Sequence, residues 1–395
     1  MRSSRRSPVR LPLLSTLRKP EVAVAAGGLF LLCWGLVHLD FWSRGALVDW
    51  PTYQRYGDAI LNHGLVPYRD FAVEYPPGAL AVMILPAAFG NYADAFAWEM
   101  AVCGLVLVAV VAAVRREAAF YVALAPVLAG SLILSRFDLW PALLAVAALA
   151  VFLRERHGLG WGLLGAAVAA KLWPLVLVPL ALVWSYRAGR ARAAFAGLAV
   201  GAAVFVPFAV VAPRGLWDSV SGQASRPLQI ESLGASLFTT FGHPSVIGSH
   251  GSQNVAGHGG IAALFALLQV ATLVALWIAF ARGPATGDRL VRYSAAAVCA
   301  FIAFGKVLSP QFLLWLIPLV PLVRGRRGLA ATGLLTAALV LTQVWFPRRY
   351  WDYVNAFHNA DVVLARNLAL VGLLVVLAWP DRVAPGAAMP HSQSG

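Results

Sequence analysis

The sequence predicts an all-α polytopic membrane protein of about 12 transmembrane helices. Three observations carry that prediction. First, 60% of the 395 residues are hydrophobic and 12% are charged, where a soluble domain carries roughly a quarter charged residues. Second, charge-free runs such as Gly27–Val37, Val102–Val114 and Leu273–Phe280 sit in stretches near the ~20 residues that cross a hydrocarbon core. Third, most basic residues fall in short connectors: Arg2–Lys19, Arg115-Arg116, Arg154/Arg156, Arg187/Arg190/Arg192, Arg282/Arg289/Arg292, Arg324/Arg326/Arg327 and Arg382. Acids are scarce there, and the remaining segments are close to neutral. That is the positive-inside pattern, so these connectors are expected on the cytoplasmic side.

The net charge of +14 and pI of 10.4 therefore report topology, and no nucleic-acid partner is expected. Cys33, Cys103 and Cys299 lie inside apolar runs and offer no disulfide or zinc framework. The apolar run after the basic start continues to about Trp42 without a cleavage site, which predicts a retained first span.

Residues 1–20 form a basic cytoplasmic tail, and 21–380 a single transmembrane domain. Span 1 covers Val22–Trp42 and leads to an external loop, 43–95. In that loop Pro76-Pro77-Gly78 opens an apolar piece, Ala79–Phe89, too short to cross and expected as an interfacial helix. Spans follow at Phe96–Val114, Phe120–Leu134 and Leu139–Leu153. Two hairpins of short half-helices come next, Gly158–Ala170 with Leu175–Tyr186, and Tyr293–Phe304 with Phe312–Val323. Their apices, Lys171-Leu172-Trp173-Pro174 and Gly305–Gln311, each hold one Lys and a Pro suited to a helix start. Ala193–Val211 leads to the second external loop, 212–259, whose Gly-, Ser- and His-rich part, Gly242–Gly260, is expected to be mobile. Ile261–Ala281, Gly328–Trp345 and Val362–Trp379 complete the crossings, and 381–395 is a cytoplasmic tail.

Chemistry concentrates in Asp49–Ala79, the longest polar interval of the first half, with Asp49, Asp58, Asp70 and Glu74 among aromatic rings. Carboxylates in a lipid-soluble protein are costly unless they meet water or react. Asp49, just beyond span 1, suits a general base; the bland alternative is a solvated carboxylate beside the belt residue Trp50. Asp58 could share a divalent ion with Asp49 or Asp70, though the spacing is not diagnostic. Lys171 and Lys306, at equivalent apices, suit a shared anion such as a lipid phosphate, with Arg136 and Arg226 as bidentate partners. Otherwise each lysine snorkels to the headgroups or pairs with Asp138 or Glu231. His243, His250 and His258 lack metal-ligand spacing, and no Walker motif or phosphate-cradling glycine loop is present.

Val48-Asp49-Trp50-Pro51-Thr52-Tyr53, and Tyr75-Pro76-Pro77 before an apolar helix with Pro86, resemble the C-type membrane glycosyltransferases. The likeness is to the bacterial polyprenyl-phosphate-mannose-dependent enzymes of glycosyltransferase family 87. The eukaryotic mannosyltransferase that begins the glycolipid-anchor mannose chain is similar at Tyr53…Gly64…Pro67-Tyr68, at Lys171-Leu172-Trp173-Pro174, and at Lys306-Val307…Ser309-Pro310-Gln311-Phe312…Trp315. Two positions depart: Pro51 stands where that relative has a second acid, and Arg136-Phe137-Asp138 where the family has an Asn.

The resemblance implies a C-type architecture in a bacterial plasma membrane; the even number of crossings puts both termini in the cytoplasm, and no cofactor is expected, a divalent cation being left open but unsupported where Pro51 interrupts the two-acid motif. Asp49 is then the catalytic carboxylate of an inverting transfer. The donor is a polyprenyl phosphate sugar, expected to be mannose, with its phosphate at Lys171, Lys306, Arg226 and Arg136. Tyr53, Asp58, Asp70, Glu74, Gln229, Glu231 and Gln311 are the expected contacts to donor sugar and to a glycolipid or glycan acceptor. The competing class is a transporter or flippase of a lipid-linked or anionic substrate, for which intramembrane lysines would bind a moving anion.

Overall fold

Helices in this chain begin and end where proline, glycine and charge interrupt apolar runs, and the computed structural model, which describes residues 19–42 and 47–380, follows that grammar. The first helix, α1, is Lys19–His38; α2, Trp50–Leu61, lies in the first connector. After a 3-10 turn come α3, Ala81–Ile84, and a second such turn, then the long α4, Tyr92–Val114. A broken segment holds α5 (Arg116–Ala123), α6 (Ala125–Ala129) and α7 (Leu132–Ser135). Then follow α8 (Leu139–Phe152), α9 (His157–Ala170), α10 (Val178–Arg187) and α11 (Ala194–Val211).

The second connector carries α12 (Pro213–Ala224), α13 (Leu233–Phe241) and an antiparallel pair, β1 (Val246–Ser249) with β2 (Ser252–Val255). The chain ends through α14 (Gly259–Arg282), α15 (Gly287–Ala303), α16 (Gly325–Trp345), α17 (Tyr350–Ala356) and α18 (Ala360–Ala378).

Among the described residues, six helices are long and apolar enough to cross a membrane: Pro20–His38, Tyr92–Val114, Ala191–Val211, Gly259–Arg282, Gly325–Trp345 and Ala360–Ala378. The other predicted crossings are shorter helices or broken segments. Phe120–Leu134, expected as one span, is divided because Pro126 supplies no donor and Gly130 turns the chain at φ +59°. The descending half of the second hairpin is not a continuous helix either. Pro310, Pro318 and Pro321 leave two 3-10 pieces, Pro310–Trp315 and Val320–Leu322, joined by turns.

The expected interfacial helix at Ala79–Phe89 is likewise three short pieces, and its Ala79, Leu80, Val82 and Met83 are buried against the bundle. Gly242–Gly260, expected to be mobile, contains the strand pair. Asn254 braces it by donating to the Ser249 and Ser252 carbonyls, and the Val255 amide donates to the Leu228 carbonyl. The predicted tails, at residues 1–18 and 381–395, and residues 43–46 of the first loop lie outside the described residues.

Two packed groups flank the broken segments. In one, α8, α9 and α11 stack and α1 lies on α4; in the other, α18 packs on α16 and α15. The α9–α11 crossing is tight because a Cβ at Gly165 would run into the Gly197 carbonyl, so small residues let the two backbones approach. Gly201, on the same helix, faces open space. Gly165→Leu is expected to cost about 1–3 kcal/mol through overpacking and to lower the thermal midpoint in detergent, whereas Gly201→Leu leaves it near wild type.

Candidate active site

Asp is a favoured N-cap residue, and Asp49 stands at that position of α2, yet its side chain makes no capping hydrogen bond. The carboxylate, 33% exposed, instead pairs with the Arg136 guanidinium through Oδ2 and Nη1. Arg136 Nη2 also reaches the Leu47 carbonyl at 3.4 Å. One turn into α2, the Tyr53 hydroxyl lies 3.5 Å from Asp49 Oδ2. Its ring is fully buried, edge-on to Phe137 at 5.6 Å and to Tyr75 at 5.8 Å.

Two residues after Arg136, Asp138 is removed from solvent altogether. Its Oδ1 accepts from Lys171 Nζ at 2.6 Å and from Trp315 Nε1 at 2.6 Å. Lys171 follows α9 with extended backbone, so its side chain leaves the helix axis and enters the bundle. The ammonium lies 4.6 Å from the Phe137 ring centre, 5.4 Å from Trp315 and 5.7 Å from Phe312. Trp173 stacks on Trp315 at 4.8 Å. The first hairpin apex, through Lys171, and the descending half of the second hairpin, through Trp315, thus meet at one aspartate, and the same turn, 136–138, carries the arginine that holds Asp49.

The second connector closes on this centre. The Gln229 amide donates to the Lys306 carbonyl at 2.9 Å, and Lys306 lies within electrostatic reach of Arg226. Lys171 is within reach of both Arg136 and Arg226, and Arg136 of Glu231. Glu231 is buried, and its backbone carbonyl accepts from Arg366 Nη2 at 3.0 Å and Asn367 Nδ2 at 3.2 Å. Burial pushes its carboxyl up to about 7. Asp138 Oδ2, Glu231 Oε2, Gln229 Oε1 and Arg136 Nε have no hydrogen-bond partner among the described residues.

The remaining predicted contacts divide. Gln311 is buried at the start of the 3-10 turn that carries Trp315. Asp58 bonds Asn62 at 2.6 Å on the far turn of its helix. Asp70 and Glu74 line a separate cleft. The Asp70 oxygens are held by Arg69, at 2.8 and 2.9 Å, and by the Val66 amide, at 2.7 Å. These bonds, Arg69 first, hold its carboxyl down at about 2.

Sequence reasoning passed over Arg366, fully buried in α18; a lone arginine inside the apolar run Val362–Trp379 was the available signal. It also passed over Trp315 as a donor to Asp138. Among the described residues no group of three or more His, Cys, Asp or Glu side chains could hold a metal ion.

A family model described as Glycosyltransferase family 87 matches residues 73–310, more than half of the chain. Among solved structures, ArnT from Cupriavidus metallidurans bound to undecaprenyl phosphate is similar at 16% identity, covering 90% of this chain and 76% of that one, with a TM-score of 0.49. The same protein in its apo state is similar at 16% identity and the same coverage, with a TM-score of 0.48. No curated protein matches.

Two outcomes follow from the geometry. Asp138→Asn leaves the Lys171 ammonium buried without its counter-charge and is expected to cost about 3–5 kcal/mol; adding Lys171→Met recovers part of that loss, as measured by unfolding in detergent. Glu231 holds its proton more tightly folded than unfolded, since its carboxyl rises from 4.5 to about 7. Its contribution to stability is full below about pH 4.5 and is lost as pH rises through about 7. Thermal midpoints of Glu231→Gln relative to wild type are expected to climb across that window.

Proposed function

Because the chain belongs to glycosyltransferase family 87, we propose that it moves a sugar from a polyprenyl phosphate donor to a hydroxyl of a lipid or envelope-glycan acceptor. The sugar is mannose, by likeness to the polyprenyl-phosphate-mannose enzymes of that family. The architecture is C-type, with the shorter helices and broken segments completing the crossings. The protein sits in a bacterial plasma membrane with its basic connectors and both termini in the cytoplasm, and the two long connectors form its reacting face outside.

One observation carries the assignment: the 136–138 turn joins a water-accessible carboxylate, Asp49, to a buried lysine, Lys171, with Arg226 in electrostatic range of that lysine and Lys306 in range of Arg226. Intramembrane charge of this density marks a functional site. The donor enters from the bilayer, and its phosphate is met by Arg136, Lys171, Arg226 and Lys306. Asp49 takes the proton from the acceptor hydroxyl as its oxygen bonds to the anomeric carbon. The bond from that carbon to the phosphate oxygen breaks with inversion, leaving polyprenyl phosphate. The cations stabilise charge growing on the departing phosphate, the electrostatic contribution that usually dominates such catalysis.

Asp49→Asn is expected to reduce transfer by about 10²–10⁴-fold while gel filtration stays as in wild type; the thermal midpoint falls, since buried Arg136 loses its counter-charge. The assay is purified protein with radiolabelled polyprenyl-phosphate mannose and a membrane extract as acceptor source. Full-rate transfer by that variant removes Asp49 from the chemistry.

A further inference from the structure

A second, water-open cleft of 480 Å³ lies between the two long connectors, within the size range of small-molecule sites. One wall is the chain from Tyr68 to Glu74, and the other is α12. The walls are fastened together. A Cβ on Gly215 of α12 would strike the Tyr68 carbonyl, Gln223 Nε2 donates to the Glu74 carbonyl at 3.2 Å, and Ser219 Oγ to the Tyr75 carbonyl at 3.4 Å. Arg226 Nη2 donates to the His250 carbonyl at 3.3 Å and to Ser252 Oγ at 3.1 Å, drawing the β1–β2 turn over one end. Three distant pieces of chain are therefore stapled around an opening, which loops packed only for compactness would fill.

The lining has a definite chemistry. Asp70, Glu74 and Asp218 supply three carboxylates against the guanidiniums of Arg69 and Arg226, the first of which is paired with Asp70, and Gln223 adds an amide and His250 an imidazole. Carboxylates, guanidiniums and amides accept from and donate to closely spaced hydroxyls. With three acids to two arginines the lining is net negative and disfavours a phosphate, and five charged side chains do not suit an acyl chain. A neutral, hydroxyl-rich ligand satisfies all of it.

The position is equally definite. Tyr75, next to Glu74, packs edge-on to Phe137 at 5.0 Å and to Tyr53 beside Asp49. Arg226, at the end of the cleft, lies within electrostatic reach of Lys171. Tyr75 and Arg226 thus each connect the cleft to the charged centre.

We propose that this cleft binds the carbohydrate end of the acceptor, leading its hydroxyl past Tyr75 toward Asp49. The proposal rests on the glycosyl-transfer function above and adds where the acceptor sits and what part of it is held: sugar, whether carried on a lipid or on a soluble glycan.

The test uses Gly222→Cys, at a cleft-lining glycine where a Cβ meets nothing within 4 Å, in a protein whose own three cysteines are buried. A bulky water-soluble maleimide attached there should block the cleft. Transfer from radiolabelled polyprenyl-phosphate mannose is measured into the organic-soluble lipids and, separately, the water-soluble glycans of a membrane extract. Binding of undecaprenyl phosphate is measured alongside.

Labelling is expected to reduce transfer at least about tenfold relative to the same variant unlabelled, since misplacement of a reactant carries such losses, while undecaprenyl phosphate still binds. The fraction that becomes labelled then names the carrier. Asp218→Asn, a milder change, is expected to raise the acceptor KM about tenfold with kcat held, the signature of lost ground-state binding. Equal transfer by labelled and unlabelled protein overturns the proposal. So does joint loss of transfer and undecaprenyl phosphate binding, which would assign the cleft to the donor. A wild-type protein that transfers to neither fraction overturns the glycosyl-transfer function itself, and the acceptor site with it.

Discussion

Asp138 is a carboxylate with no contact to solvent, and the architecture around it is arranged to make that tolerable. An ion taken out of water loses several kcal/mol of solvation, recovered only when a counter-charge and further donors sit at close range. Lys171 supplies the charge and Trp315 the second donor, both at 2.6 Å. Those partners come from the two breaks in regular helix that flank the centre of the chain. Neither break can drift without stranding the acid, so the pairing fixes the approach of both segments. Arg136, two residues away, carries the same constraint outward to Asp49.

Such a centre requires interrupted helices. A continuous α-helix satisfies its own amides but points side chains radially, whereas the extended backbone at Lys171 turns its side chain away from that radial array toward Asp138. Breaking the chain after Ala170 and before Pro310 exposes backbone groups that must find partners where water is scarce. They find them locally: Lys171 N donates to Ala167 O, Leu175 N to Leu172 O, and Phe312 N to Ser309 O.

This logic also sets what was legible in the sequence. Long uniform runs such as Tyr92–Val114 and Gly259–Arg282 became single helices, because apolar length alone decides there. Phe120–Leu134 looked equally apolar but is divided at Pro126 and Gly130, where backbone stereochemistry outweighs hydropathy. The polar interval containing Asp49 and the two lone lysines stood out because charge in apolar surroundings is expensive. Their mutual placement did not, since the Asp49–Arg136 and Asp138–Trp315 contacts join residues far apart in the chain and leave no periodic trace. The β1–β2 pair was hidden for a different reason. Its glycines and serines signal turns, while the bracing comes from one asparagine side chain and from pairing of Val255 with Leu228.

The ion pair between Asp49 and Arg136 bears directly on the proposed chemistry. A carboxylate held by a guanidinium is kept ionised, yet it is a weaker proton acceptor than a free one, because protonation would break the pair. Arg136 is equally suited to a phosphate, whose oxygens match its fork of donors. Under the proposed function one guanidinium therefore faces two partners, the carboxylate of Asp49 and the phosphate of the donor, and it must divide its donors between them. That double demand suits an arginine at the turn where the family resemblance leads one to expect a neutral asparagine: an asparagine could orient a sugar or a phosphate, but it carries no charge to set against either anion.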